Sequence, residues 1–250
     1  MTAGAVLVVG ASGGIGRAVA RRLAAERPEV LVLGYRSSAP VELAEELRAV
    51  GVAVECVRID VDAPDCGAVV ADVAERHGGL AALVHCAGPH VPMVHLSRVD
   101  PAEFRRQLDS DAGGFFAVVH AALPGLRAVS GCVVAVTTAA TSRYPVRDGL
   151  SAGPKGAVEQ LVRGLAAEEG RFGVRVNCVG PGMLTDGMAE RLISGGDLDE
   201  RALEVTRGNI PLRRFGTADD IAEAVAFLAD PRRAGFVSGQ KLDIDGGYGV

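Results

Sequence analysis

The stretch Ala5-Val6-Leu7-Val8-Val9-Gly10-Ala11-Ser12-Gly13-Gly14-Ile15-Gly16-Arg17 decides the fold. Five apolar residues are cut off by glycine, and a helical pattern, Arg17–Glu26, follows the glycine-rich turn. A short apolar run closed by glycine reads as a strand buried on both faces. The first amides of a helix have no partner inside it, and its dipole favours negative charge. A glycine turn between strand and helix is therefore where a parallel sheet holds a phosphate. Gly10 permits the tight turn, Gly14 lets the backbone approach phosphate, and Gly16 lets the helix pack on the strand. Ser12, Gly13 and Ile15 complete the loop, whose spacing is G-x-x-x-G-x-G rather than the commoner G-x-G-x-x-G.

Working outward, short apolar runs alternate with helical patterns. Strands are expected at Ala5–Val9, Val30–Leu33, Val52–Ile59, Leu80–His85, Cys132–Val136, Val174–Cys178 and Lys241–Ile244. Helices are expected over Val41–Val50, Pro64–His77, Ser151–Arg171 and a long stretch, Pro101–Ala128, bent near Gly113-Gly114. Thr217-x-x-Asp220 opens another helix with a capping box. Strands apolar on both faces and joined through helices make a doubly wound parallel sheet with helices on both sides. We expect one domain, an α/β sheet of about seven strands, with the segment Asp186–Asn209 (about 186–209) as a lid over a cleft.

Composition narrows the function. Of 250 residues, 48% are hydrophobic and 23% charged, which suits a folded core rather than disorder. The net charge of −5 comes with no basic block, which argues against nucleic acid or an anionic membrane as partner. The longest apolar runs fall short of the roughly 18 residues of a membrane span, and no secretory pattern opens the chain. Cysteines at 56, 66, 86, 132 and 178 are odd in number, without C-x-x-C. A disulfide framework or metal site is not expected, and a reducing cytoplasm fits better.

The second strand runs into Tyr35-Arg36-Ser37-Ser38, where a site for NAD ordinarily carries an acidic residue. Arg36 beside two hydroxyls suits a 2′-phosphate instead. The expected cofactor is NADP(H) rather than NAD(H).

From this loop onward the chain resembles the short-chain dehydrogenase/reductase family, whose fold is a Rossmann-type domain. Gly10, Gly14 and Gly16 match the cofactor loop, and Ile59-Asp60-Val61 matches the acidic residue that meets adenine. His85-Cys86-Ala87-Gly88 stands where the family has N-N-A-G. Arg175-Val176-Asn177-Cys178-Val179-Gly180-Pro181-Gly182, Ile210-Pro211-Leu212-Arg213-Arg214-Phe215-Gly216 and Gly239-Gln240…Asp243-Ile244-Asp245-Gly246-Gly247 match its later signatures. The resemblance implies an oxidoreductase that holds its cofactor through these residues, with Lys155 on the nicotinamide ribose and Thr185 near the nicotinamide or pyrophosphate. It also implies a small-molecule substrate and a homotetramer or dimer, joined through helices that carry Arg98, Arg105, Arg106, Arg127 and Glu159.

The family's catalytic set departs from type. Lys155 matches, but Ser151 stands four residues earlier, where the family has Tyr. Thr138, thirteen residues before Ser151, takes the place of the family's Ser, and Asp111 takes that of its Asn. A phenol has a pKa near 10, which a neighbouring ammonium lowers; an aliphatic hydroxyl is a far weaker acid and is poorly matched to neutral pH. Thr138, Ser151 and Lys155 can still hold an oxyanion by hydrogen bonds. Asp111 reads as the ion-pair partner of Lys155 or as a poised acid. Pro154, between Ser151 and Lys155, is tolerable only in a first helical turn.

Three readings follow. In the first, the protein reduces an activated C=C bond, as in the similar 2,4-dienoyl-CoA reductase branch with Ser in place of Tyr, and its substrate is an acyl thioester. In the second, it reduces C=O or C=N with a proton from Tyr144, Asp148, Asp111 or a water. In the third, it binds cofactor without turnover. His85 reads as packed or cofactor-facing, Cys86 as packed near the ribose, and His90, His95, Arg143 and Arg147 as surface residues or substrate contacts.

Overall fold

The structure, a computed structural model, describes residues 3–89, 91–185 and 200–250. Its strands are β1 (Ala5–Val9), β2 (Val30–Tyr35), β3 (Val54–Arg58), β4 (Leu80–His85), β5 (Cys132–Val136), β6 (Arg175–Pro181) and β7 (Lys241–Ile244). Its helices are α1 (Gly14–Ala24), α2 (Val41–Ala49), α3 (Cys66–Arg76), α4 (Pro101–Leu108), α5 (Gly114–Val129), α6 (Gly149–Glu169), α7 (Glu200–Asn209), α8 (Ala218–Ala229) and α9 (Pro231–Ala234). The strands form one sheet in the order β3-β2-β1-β4-β5-β6-β7, every pair parallel.

Alternation along each strand builds two cores. Val6 and Val8 of β1 face α1, α2 and α8, while Ala5, Leu7 and Val9 face α3, α5 and α6. Cys132, Val134 and Val136 of β5 divide from Val133 and Ala135 in the same way. This is the continuous burial expected of a parallel sheet covered on both sides. The connections from β1 and β4 leave in opposite directions, so a crevice opens beyond the carboxyl ends of these two strands.

All seven expected strands are present, and β1, β4, β5 and β7 have the expected bounds. β2 and β6 run farther, to Tyr35 and Pro181, and β3 is shorter. The long helix is interrupted by a π-turn at Asp109–Gly113, so its irregularity begins ahead of the Gly113-Gly114 pair. The run Pro101–Val129 is long and apolar enough to cross a membrane by length and composition. Its Phe115, Val118, Val119, Ala122 and Leu126 are instead fully buried, in the core formed with the sheet. The capping box is present: Thr217 Oγ1 accepts from the Asp220 amide at 3.2 Å, and Asp220 Oδ2 accepts from the Thr217 amide at 2.9 Å. Of the expected lid, residues 186–199 lie outside the described residues, and Glu200–Asn209 is helical.

Phe115 is among the largest fully buried side chains, and it meets His85 edge-on. Phe115→Ala is expected to cost about 3–5 kcal/mol, read as a lower urea midpoint at unchanged slope.

Candidate active site

The turn after β1 is closed by backbone alone. Gly10 adopts φ +83°, and a Cβ there would lie 2.7 Å from the Ala87 nitrogen, so the turns after β1 and β4 touch main chain to main chain. A Cβ on Gly16 would come within 2.1 Å of the Gly10 carbonyl oxygen. Helix α1 begins at Gly14, its N-cap Gly13 offers no side chain, and its first turn holds no acid. Its leading amides are thus uncapped by any side chain, beside Ser12, whose carbonyl accepts from Arg17 Nε at 3.1 Å. This is the arrangement that receives an anion. The residues present therefore fit a dinucleotide's pyrophosphate.

At the far side of the crevice, Tyr35 pairs in register with Arg58. Exposed Arg36 and Ser37 follow Tyr35. Arg58 Nε donates to the Arg36 carbonyl at 3.0 Å, and Arg58 Nη2 lies 3.8 Å from Asp60 Oδ2. Two guanidinium groups therefore flank the end of β2, where sequence reading singled out one. Only the adjacency of β2 and β3, together with the place of Arg58 two residues before Asp60, could have signalled it. Val61 packs against Gly114 at the start of α5.

The reaction end is set by α6 and the π-turn. The extra residue of a π-turn turns side chains that a regular helix would aim elsewhere. Here Asp111, 3% exposed, accepts from Lys155 Nζ at 2.7 Å. A Cβ on Gly88 would lie 3.2 Å from that Nζ, so the ammonium sits against the turn after β4. Asp111 is therefore the ion-pair partner of Lys155. His85 is buried with Nδ1 unpartnered among the described residues. Burial, reinforced by the charge of Lys155, pushes its imidazole down to about 3, so it is neutral. Burial pushes the Cys86 thiol up to about 12, which suits packing rather than nucleophilic work.

Ser151 lies in the first turn of α6, and its hydroxyl has no hydrogen-bond partner among the described residues. Ser151 and Lys155 share a helix face at i, i+4. Pro154 is the sixth residue of α6, beyond the first turn where the sequence reading placed a tolerable proline. The helix starts two residues earlier than expected, and Gly149 and Leu150 are already helical. Thr138 Oγ1 accepts from the Ala140 amide at 3.1 Å. Its turn is tied down by a polar cluster. Thr141 Oγ1 lies 3.1 Å from the Thr138 carbonyl and 2.8 Å from Glu159 Oε1. Lys241 Nζ stands 3.3 Å from Glu159 Oε1 and 3.0 Å from Asp243 Oδ1.

Tyr144 is 49% exposed in the loop between Thr138 and α6. Asp148 precedes α6, and burial raises its carboxyl to about 6. Pro181, Gly182 and Thr185 continue from β6: the Gly182 amide donates to Ile244 and the Thr185 amide to Gly216, at 3.0 and 2.9 Å. His95 is exposed, while His90 and Asp186 lie outside the described residues. Arg143 is engaged by Tyr248, donating to its carbonyl at 2.7 Å and lying over its ring. Arg127 and Glu159, placed on contact helices by the resemblance, are used inside the chain. Arg127 makes a two-pronged pair with buried Glu169, both bonds 2.7 Å, and Glu159 belongs to the cluster with Lys241.

This chain belongs to the short-chain dehydrogenase/reductase family and is an oxidoreductase of that class. A family model described as enoyl-(acyl carrier protein) reductase matches residues 10–249. The chain is similar to cis-4-hydroxycyclohexanecarboxylate dehydrogenase of Sinomonas cyclohexanicum, 34% identical over 97% of this chain and 95% of that enzyme. It is similar to a 3-oxoacyl-(acyl-carrier-protein) reductase of Staphylococcus aureus, 33% identical over 96% of each chain. A Burkholderia cenocepacia short chain dehydrogenase, solved in complex with NADP, superposes with a TM-score of 0.86 at 29% identity, covering 99% of this chain and 98% of that one.

Lys155→Met leaves the Asp111 carboxylate buried without its cation. It is expected to cost about 3–5 kcal/mol in urea unfolding, and Asp111→Asn in the same chain should recover part of that loss.

Proposed function

We propose that this protein is an NADP(H)-dependent reductase of an activated C=C bond, acting on an enoyl-type acyl thioester through Lys155, Ser151 and Thr138 without the family's tyrosine. The observation that carries this reading is the Lys155–Asp111 pair, 2.7 Å long, beside Gly88, with an unbonded Ser151 hydroxyl on the same helix face. When bound, the reduced nicotinamide supplies hydride. Hydride arriving at carbon makes an enolate, whose oxygen needs hydrogen-bond donors before it needs a proton. Ser151 and Thr138 orient that oxygen. Lys155, held by Asp111, anchors the ribose and adds positive charge. The family model's description and the acyl-carrier-linked substrate in the Staphylococcus enzyme's name support the thioester class.

On this reading Ser12, Gly13, Gly14, Ile15 and Gly16 cradle the pyrophosphate, with Gly10 shaping the turn. Tyr35, Arg36 and Ser37 surround the adenosine ribose, and Asp60 and Val61 meet the adenine. Cys86, Ala87 and Gly88 line the path to the nicotinamide, which Pro181, Gly182 and Thr185 flank from β6. The second arginine at β2, Arg58, and the NADP-bound Burkholderia neighbour support the phosphorylated cofactor. An exposed groove beside Arg105, Arg106, Leu108, Phe116 and Leu161 supports assembly into a homotetramer or dimer. Five free cysteines fit a cytoplasmic setting.

A second reading, reduction of C=O or C=N, is favoured by one observation: a half-buried carboxyl, Asp148, stands ahead of Ser151 and binds its proton more tightly than an ordinary aspartate.

Loss of dihydronicotinamide absorbance, followed against an enoyl thioester, a ketone and a cyclic imine, decides between them. Turnover with the thioester alone is expected; turnover with the ketone or imine alone favours the second reading, and none with any of the three leaves a nucleotide-binding protein without turnover. Arg36→Ala and Arg58→Ala are each expected to weaken NADPH about tenfold or more, with NADH unchanged in a fluorescence titration. Tighter binding of NADH by the unaltered protein would sink the NADP assignment.

A further inference from the structure

We infer that Lys241, on the last strand of the sheet, is a positioning residue for Thr138: it holds in place the turn that carries this hydroxyl beside α6. The inference rests on the reductase reading above, in which Thr138 orients the substrate oxygen, and names what fixes it there.

The turn Thr138–Thr141 follows β5. The Ala140 amide donates to Thr138 Oγ1 at 3.1 Å, so one lone pair of that oxygen is taken. Its hydrogen has no acceptor among the described residues and is the part left to offer. Where this hydrogen points depends on where the turn stands. The far end of the turn lies against α6. The Thr141 methyl would be 3.8 Å from a Cβ on Gly156, the residue after Lys155, and Thr141 Oγ1 donates to Glu159 Oε1 at 2.8 Å. Ser151, Lys155 and Glu159 are spaced i, i+4, i+8, so the carboxylate continues the stripe that the serine begins.

Lys241 closes this arrangement from β7. Its Nζ donates to Thr141 Oγ1 and, at 3.0 Å, to Ser142 Oγ; it stands 3.3 Å from Glu159 Oε1 and 3.0 Å from Asp243 Oδ1. Ser142 Oγ in turn donates to Asp243 Oδ2 at 2.6 Å. The lysine side chain is 14% exposed, so these partners rather than solvent place its ammonium. Gly180 of β6 makes room for it. A Cβ there would lie 2.7 Å from Lys241 Cε and 3.1 Å from the Thr138 carbonyl carbon, so the lysine and the Thr138 main chain border one methyl-sized space.

The single hydroxyl hydrogen of Thr141 has two acceptors in reach, the Glu159 carboxylate and, at 3.1 Å, the Thr138 carbonyl. Lys241 favours the second in two ways. Its charge offsets that of Glu159, and an ammonium donating into the hydroxyl oxygen makes that hydroxyl a better donor. Without the lysine, Glu159 and Asp243 are two poorly hydrated carboxylates that have lost their shared cation. Glu159 then takes the Thr141 hydrogen for itself, and the Thr138 carbonyl is released. Two neighbouring cations do not substitute: Arg143 is engaged by Tyr248, and Lys155 by Asp111.

The test is a double-mutant cycle on kcat, read with whichever of the three substrates the unaltered protein reduces. Thr138→Val is expected to lower kcat about a hundredfold and Lys241→Met about tenfold, with NADPH affinity in a fluorescence titration unchanged in both. Lys241→Met added to Thr138→Val should cost nothing further, because the lysine acts through the threonine. Thr141→Val removes only the hydroxyl that joins lysine to turn and leaves the ion pairs in place. It should match Lys241→Met, and Thr141→Ser, which keeps the hydroxyl, should retain most of kcat. If Lys241→Met does not fold, Thr141→Val takes its place in the cycle. Unaltered kcat in Lys241→Met or Thr141→Val, a loss that persists in full in the Thr138→Val background, or a loss matched by weaker NADPH binding overturns the inference. No turnover by the unaltered protein with any of the three substrates overturns the reductase reading, and this inference with it.

Discussion

A single buried ion pair organises the end of the crevice where α6 meets the π-turn. Lys155 and Asp111 lie 2.7 Å apart in a wall almost closed to water, where either charge alone would be costly. The pair joins two elements that do not meet through the sheet, the π-turn between α4 and α5 and the second turn of α6. It fixes the ammonium against Gly88, and with it the distance from the turn after β4 to the helix that carries Ser151. It also sets the electrostatics of the neighbourhood. His85 stays neutral and the Cys86 thiol stays protonated in the same dry pocket, so among these neighbours charge is concentrated in one matched couple.

The other half of the crevice depends on the absence of side chains. Gly10 and Gly16 let the turns after β1 and β4 and the start of α1 come within contact of one another, and any Cβ would part them. The helix then presents bare amides where the sheet changes direction. The crevice is thus divided between an end built from backbone and an end built from side chains, with the parallel sheet holding the two in register.

Much of this was legible in the sequence because it is written in local pattern. Apolar runs too short for helices marked the seven strands, and the glycine spacing located the tight turn between β1 and α1. Lys155 with Ser151 four residues earlier was visible as a motif. What was not legible depends on contacts across elements. The π-turn differs from a helix in its main-chain hydrogen bonds, which no residue spacing encodes, so a pair of glycines drew attention to its end rather than its start. Arg58 acquires its place from the register of β3 against β2, which no linear spacing encodes. The resemblance placed Arg127 and Glu159 on helices of a subunit contact, yet each has a buried or half-buried partner far along its own chain. The raised pKa of Asp148 comes from burial, which no residue beside it in the sequence announces.

Pro154 in the second turn of α6 has a mechanical consequence. Proline has no amide hydrogen to offer the carbonyl of Leu150, four residues back. One rung of the helical ladder is therefore missing between the turn that bears Ser151 and the one that bears Lys155. The opening turn is therefore joined to the rest of α6 by one main-chain hydrogen bond fewer than a regular helix provides, and its hold comes from the packing of buried Gly149 and Leu150.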